Sequence, residues 1–151
     1  MYKKILVPLD GSKRAEAILP HVENLAVRYG AEVVLFSIEE PPLLLEHDEV
    51  VDLESYWQTR ESQRKQTETY LQGIVQKWRA KDIKAEIHIG QGPVVKGIID
   101  FADQEKVDLV AMASHGRSGL ARTFYGSVAA GVLQHIDRPL LLIRSRHSDS
   151  S

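Results

Sequence analysis

Short apolar runs alternate along this chain with longer stretches in which apolar residues recur every three or four positions. Ile5-Leu6-Val7-Pro8 is the first run, and Asp10-Gly11-Ser12 closes it. Ala15, Ile18, Leu19, Val22, Leu25 and Ala26 then fall on one stripe, which predicts a helix from about Lys13 to Tyr29. Ser12 suits its N-cap, because the hydroxyl can accept an orphan N–H of the first turn. Gly30 suits its C-terminal stop. Pro20 falls inside this stretch, where the missing N–H and the ring predict a bend or local irregularity. Val33 to Ile38 is apolar at nearly every position, as in a strand covered on both faces.

Glu39 to about Leu53 shows no period, contains the breaker Pro41-Pro42, and carries four acidic residues between Glu46 and Asp52. It reads as a mobile, solvated loop, with a lid over a site as the lesser alternative. A long polar helix is predicted from about Glu54 to Ala80, with Trp57, Tyr70 and Trp78 as packing residues. A third strand is expected over Lys84 to Ile89. Gly90-Gln91-Gly92-Pro93 then ends it and opens a helix with Pro93 in its first turn. That helix carries Val94, Val95, Ile98, Ile99 and Ala102. Leu109 to Ala113 is the fourth strand, and a glycine-containing loop from Ser114 to Tyr125 leads into a helix over about Ser127 to His135. Pro139 to Ile143 is the fifth strand, and 146–151 reads as a flexible polar tail. Repeated βα units place the chain in the α/β class, with a parallel sheet and helices on both faces.

Composition narrows the picture. A chain of 151 residues, 43% hydrophobic and 26% charged, suits one domain with a real core. Lys and Arg total 19 against 21 acidic residues, a balance that lacks the basic footprint of a nucleic-acid binder. With no cysteine there is no thiol catalysis, disulfide or thiolate metal site. No stretch approaches the ~20 apolar residues of a membrane helix, and the opening apolar run is too short for a signal-peptide core. A soluble, cytoplasmic protein is expected.

Ligands of open parallel sheets bind beyond the carboxyl ends of the strands, where the winding direction reverses. Pro8-Leu9-Asp10-Gly11-Ser12 after the first strand and Ala113-Ser114-His115-Gly116 after the fourth carry suitable residues. The second segment has the sense of an anion site. Gly116 permits a tight turn that presents backbone N–H groups. Gly126-Ser127 opens a helix whose first N–H groups are unpaired and partially positive. A phosphate chain could lie between them, with the Ser127 hydroxyl adding a bond and Arg117 and Arg122 neutralising charge. No G-x-x-x-x-G-K-[ST] motif occurs, so this is not a P-loop.

The run from Met1 to Ser12 and the later Met112-Ala113-Ser114-His115-Gly116-Arg117-Ser118-Gly119 resemble the universal stress protein family, and the likeness extends over residues 1 to 145. ATP-binding members of that family carry a glycine, two residues, a second glycine, nine residues, then glycine followed by serine or threonine. Gly116, the nine residues Arg117 to Tyr125, and Gly126-Ser127 match the later elements. Ala113 replaces the first glycine; its methyl group is the smallest possible addition and is expected to weaken the site without abolishing it. The resemblance implies one doubly wound, nucleotide-binding domain over 1–145 with strand order 3-2-1-4-5. It also implies that Asp10 and backbone groups near Ile38 hold the nucleoside. The expected nucleotide-binding set is therefore Pro8, Asp10, Ile38, Ala113, His115, Gly116, Arg117, Gly119, Gly126, Ser127 and Val128. The ligand is ATP, or ADP or AMP, with Mg²⁺ as a companion to the phosphates.

Bland readings stand beside these. Asp10 could merely cap the first helix, and Arg117 and Arg122 could be solvated loop charges. His21, His47, His88, His115, His135 and His147 show no paired ligand spacing, so no metal site is expected from them. His115 is expected to orient its loop. No nucleophile–base pair stands out, so no catalytic residue is assigned. A nucleotide-binding regulatory module of the stress response is the first reading. A slow Mg²⁺-dependent ATP hydrolase and a nucleotide-free, partner-binding dimer are the alternatives. The apolar edge strand Pro139 to Ile143 would be covered by a second copy in a two-fold homodimer; an unknown protein partner is also open.

Overall fold

The computed structural model describes residues 1–39, 53–114 and 126–145. Five strands, β1 (Lys4–Pro8), β2 (Glu32–Glu39), β3 (Ala85–Gln91), β4 (Leu109–Ser114) and β5 (Leu140–Arg144), form one sheet in the order β3-β2-β1-β4-β5. Every neighbouring pair is parallel. Helices α1 (Leu19–Tyr29), α2 (Leu53–Arg79), α3 (Val94–Gln104) and α4 (Gly126–His135) connect them. The α/β class and the strand order expected from the resemblance are both present. The loop expected over Glu39 to Leu53 and the 146–151 tail lie almost wholly outside the described residues.

Alternation along the central strands builds two cores. Ile5, Val7, Leu9, Val33, Leu35, Leu109 and Ala111 point to one face and pack with Val22 and Ala26 of α1 and Leu71, Val75 and Trp78 of α2. Leu6, Val34, Phe36, Val110 and Met112 point to the other and pack with Ile98, Phe101 and Ala102 of α3 and Ala129 and Val132 of α4. Burial on both faces accounts for the continuous apolar runs of β1, β2 and β4.

The first helix departs from expectation. Ala15–Ile18 is a 3-10 turn, and the α-helix begins only at Leu19. A continuous α-helix from Lys13 would drive the Pro20 ring into the carbonyl four residues back. Restarting at Leu19 puts Pro20 in a first turn, where no N–H is needed. Ser12 is not the residue before α1, which is Ile18, but its hydroxyl accepts the Ala15 N–H at 3.2 Å at the start of the 3-10 turn. Gly30 closes α1. Pro93 sits one place earlier than predicted. It is the extended residue before α3, with ψ 134°, and its carbonyl accepts the Gly97 N–H.

Trp57 is the other correction. Trp78 is buried and Tyr70 half-buried against the core, but Trp57 is 60% exposed. It meets Tyr56 edge-on at 5.6 Å and lies under the Arg60 guanidinium. A 27-residue helix runs about 40 Å, longer than the strands beneath it, so only its C-terminal part has a core to pack on.

Candidate functional site

Strands β1 and β4 lie side by side, while the chain continues outward from each in opposite directions. That is the switch point of a doubly wound sheet. A cleft of about 840 Å³ opens there, beyond the carboxyl ends of the strands, within the range of small-molecule sites.

Its walls differ in chemistry. Phe36, Ile38, Val94, Ile98 and Met112 form an apolar end between β2, β4 and α3. Asp10, Ser12, Lys13 and Arg14 after β1, with Gly126 and Ser127 at the start of α4, form a polar end. Pro8, Leu9, Ala113 and Val128 lie between the two.

Local structure fixes the β1 loop. The Leu9 N–H donates to the Phe36 carbonyl at 2.8 Å, carrying the β1–β2 pairing one residue past Pro8. Gly11 then takes φ 85°, a left-handed conformation that a side chain would strain. The Asp10 Oδ1 accepts the Ser12 N–H at 2.9 Å and the Ser12 hydroxyl at 2.6 Å. Asp10 therefore does not cap the first helix directly. It orients Ser12, and Ser12 caps the turn. Asp10 remains exposed at the cleft.

The α4 side is shaped by Gly126, whose φ of 66° lets the chain turn into the helix. The unpaired N–H groups and positive dipole end of α4 lie at the polar end of the cleft. Ala113 belongs to the core on the α1 face, together with Leu9 and Ala15, and the residue is only 8% exposed. The apolar wall of the cleft belongs to the opposite face. The methyl therefore borders the cleft without occupying its apolar end.

Beneath the β1 loop, Tyr70 of α2 carries a buried hydroxyl near the Glu16 and Asp10 carboxylates. Burial, reinforced by the Glu16 and Asp10 carboxylates, pushes its pKa well above the usual phenol value. It stays neutral and adds no charge to the site.

Of the residues expected at the site, the structure brings Pro8, Asp10, Ile38, Ala113, Gly126, Ser127 and Val128 to one cleft. His115, Gly116, Arg117 and Gly119 lie outside the described residues, as do Arg122 and His147. Sequence reasoning missed Lys13 and Arg14, and the apolar wall of Phe36, Val94, Ile98 and Met112. The signal for the first pair was present: two cations directly follow the bend at the end of β1. Among the described residues no group of three or more His, Asp or Glu side chains is placed to hold a metal ion. No helix among them is long and apolar enough to cross a membrane.

The arrangement defines a class: an open, doubly wound α/β domain with a half-apolar, half-polar ligand cleft at its switch point. Residues 1–144 match the universal stress protein family, and the chain belongs to that family. Universal stress protein MJ0531 of Methanocaldococcus jannaschii is 27% identical over 146 residues, covering 95% of this chain and 83% of that one. Universal stress protein MJ0577 of the same organism is 27% identical and covers 98% of both chains. The solved structure of MJ0577 superposes with a TM-score of 0.81, covering 98% of this chain and 99% of that chain. Two more distant structures share the fold. A universal stress protein in complex with cAMP is 18% identical, with a TM-score of 0.71 over 96% of this chain and 98% of that one. The Archaeoglobus fulgidus protein in complex with dAMP is 21% identical, with a TM-score of 0.62 over 94% of this chain and 98% of that one.

Proposed function

We propose that this protein is an adenine-nucleotide-binding regulatory module of the stress response, acting in the cytoplasm. The observation that carries the reading is the two-ended cleft at the switch point. Its apolar end suits a flat base, and its polar end sets the α4 N-terminus and two cations where phosphates would lie. Relatives of the same fold hold cAMP and dAMP, which supports the adenine class. ATP is the proposed ligand, with ADP and AMP as the alternatives and Mg²⁺ accompanying the phosphates. Pro8, Asp10 and Ile38 would hold the nucleoside, and Gly126, Ser127 and Val128 the phosphates, joined by Ala113 and by His115, Gly116, Arg117 and Gly119. The module spans 1–145, with 146–151 as a tail.

Binding is put forward ahead of hydrolysis. Asp10 is the one carboxylate among the described residues lining the cleft, and its Oδ1 is already engaged by Ser12. Isothermal titration with Mg-ATP, ADP and AMP tests the reading. Saturable heat at micromolar ligand is expected, and no heat from any of the three removes it. Ala113 at the cleft favours a second reading, a partner-binding dimer without nucleotide. Native mass spectrometry of gently purified protein separates the two through retained nucleotide.

We also propose that β5 pairs with a second copy. Leu140 to Ile143 are half-buried at the sheet edge, and an apolar edge strand is an association hazard unless covered. Sedimentation at micromolar concentration is expected to show twice 17.0 kDa; monomer alone would contradict the pairing.

A further inference from the structure

The apolar end of the cleft depends on where Ile38 puts its outermost methyl group. Ile38 is the seventh residue of β2, half-buried, with one side on the cleft. On β3 it stands opposite Gly90. Above it runs α3, with Gly97 facing it. A methyl group added at Gly97 would overlap Ile38 Cδ1, approach its Cγ1 to 3.4 Å and reach within 3.9 Å of Phe36 Cζ. One added at Gly90 would meet Ile38 Cγ1 at 3.7 Å and Phe36 Cζ at 3.8 Å, which is ordinary contact. Ile38 is thus bounded by β3 beside it, Phe36 below it and α3 above it, and it leans into the space that Gly97 leaves empty. The side left open is the cleft.

Gly97 has no local reason to be glycine. It is the fourth residue of α3, where glycine costs about 1 kcal/mol relative to alanine. Its φ is not in the left-handed region. The missing side chain therefore serves the packing of Ile38.

We propose that Gly97 is a positioning residue for the ligand. By giving Ile38 Cδ1 room against α3, it holds the apolar end of the cleft open for a planar base. This rests on the nucleotide reading above. Gly97→Ala closes the vacant space, and because Cδ1 is the free end of a flexible side chain it swings toward the cleft while the backbone stays in place. Affinity falls while the fold is kept, since alanine favours the helix.

The test is a titration of the full chain with Mg-ATP for the parent protein, Gly97→Ala, Gly90→Ala and the double variant Gly97→Ala with Ile38→Val, which lacks Cδ1. The Ile δ1 methyl resonances are recorded for each ligand-free protein. Gly97→Ala is expected to weaken ATP binding by on the order of tenfold, with a melting temperature no lower than the parent's and a shifted Ile38 δ1 methyl. Gly90→Ala is expected to bind as the parent does. The double variant is expected to recover to within about threefold of the parent. If the parent itself gives no heat, the nucleotide reading falls and this inference falls with it. If the parent binds and Gly97→Ala binds equally well, or its loss is not rescued by Ile38→Val, the inference alone is overturned and the nucleotide reading stands.

Discussion

The two rims of the same sheet are built in opposite ways. At the rim where the strands begin, polar groups are tied together. The Lys3 and Lys4 N–H groups donate to Asp108 Oδ2 at 2.7 and 2.8 Å, fixing the start of β1 to the start of β4. The Lys4 ammonium lies 3.4 Å from Glu105 and 3.8 Å from Glu32. Arg138 donates to the Ala102 and Val107 carbonyls and pairs with Asp103 and Asp137, tying the end of α3 to the loop before β5. At the rim where the strands end, the pattern reverses. Glu39 and Ser114 are the last residues of β2 and β4, and each holds a buried oxygen with no hydrogen-bond partner among the described residues. Buried polar groups are normally paired because leaving them unpaired is costly. Both residues stand at the rim where the cleft opens, opposite the rim whose polar groups tie β1, β4 and α3 together.

The sharpest way to break this contrast is at Arg138, which is mostly shielded from solvent and satisfies two carbonyls at once. Arg138→Ala should lower stability by about 2 kcal/mol, because charged hydrogen bonds to the Ala102 and Val107 carbonyls are lost, although the Ala102 carbonyl keeps the Val107 N–H. Urea denaturation measures the loss, and ATP affinity should stay within about twofold. Asp108→Ala comes next, at about 1.5–2 kcal/mol, since two charge-assisted bonds from the β1 backbone are lost. A large loss of affinity in either variant, measured on the folded protein, would mean that the two rims are not independent.

What was legible in the sequence follows the same division. The central strands were readable because burial on both faces leaves no polar position in Leu6 to Val7 or Val33 to Phe36. Their order was not readable from periodicity, which carries no information on which strands are neighbours; it came from the family resemblance. Pro20 announced an irregularity, but the 3-10 turn before it depends on how its residues meet β4, a tertiary matter. Trp57 was misread because helical spacing does not say where the sheet beneath a helix stops. At the site, Asp10, Gly126 and Ser127 were visible, since Asp, Gly and Ser mark the turns and helix starts that follow strands. Phe36, Ile98 and Met112 were hidden, because a residue that lines a cleft looks like any other core residue in sequence.

Ser114 sharpens the comparison from the ligand side. Its Oγ is buried with no partner among the described residues, and the whole residue is 1% exposed. Removing the hydroxyl loses no hydrogen bond to the described residues and relieves the cost of keeping it from water. Ser114→Ala should therefore raise stability by about 0.5–1 kcal/mol, the opposite sign to Asp108→Ala. Paired urea melts of the two variants check that reversal. A destabilisation on the scale of Asp108→Ala would show that the ending rim contributes to the fold as the starting rim does.

The smallest effect belongs to the exposed pair Lys81 and Glu23, 2.5 Å apart, which joins the turn after α2 to α1. The hydrogen bond from Lys81 lowers the Glu23 pKa below its ordinary 4.5, against a smaller opposing effect of burial. A carboxyl held low in the folded state binds fewer protons than in the unfolded chain, so it favours the fold wherever it is ionised. That contribution is complete above the ordinary value, shrinks as pH falls through the folded pKa, and is gone below it. Lys81 is 56% exposed, so water and salt screen the pair and it is worth about 0.5 kcal/mol. Glu23→Gln should remove that amount at pH 7 and nothing near pH 2, and molar salt should erase the difference at pH 7. Melts of parent and variant across that range are the measurement. An equal loss at both pH values would assign Glu23 a packing role, and the starting rim would then owe less to charge than its contacts suggest.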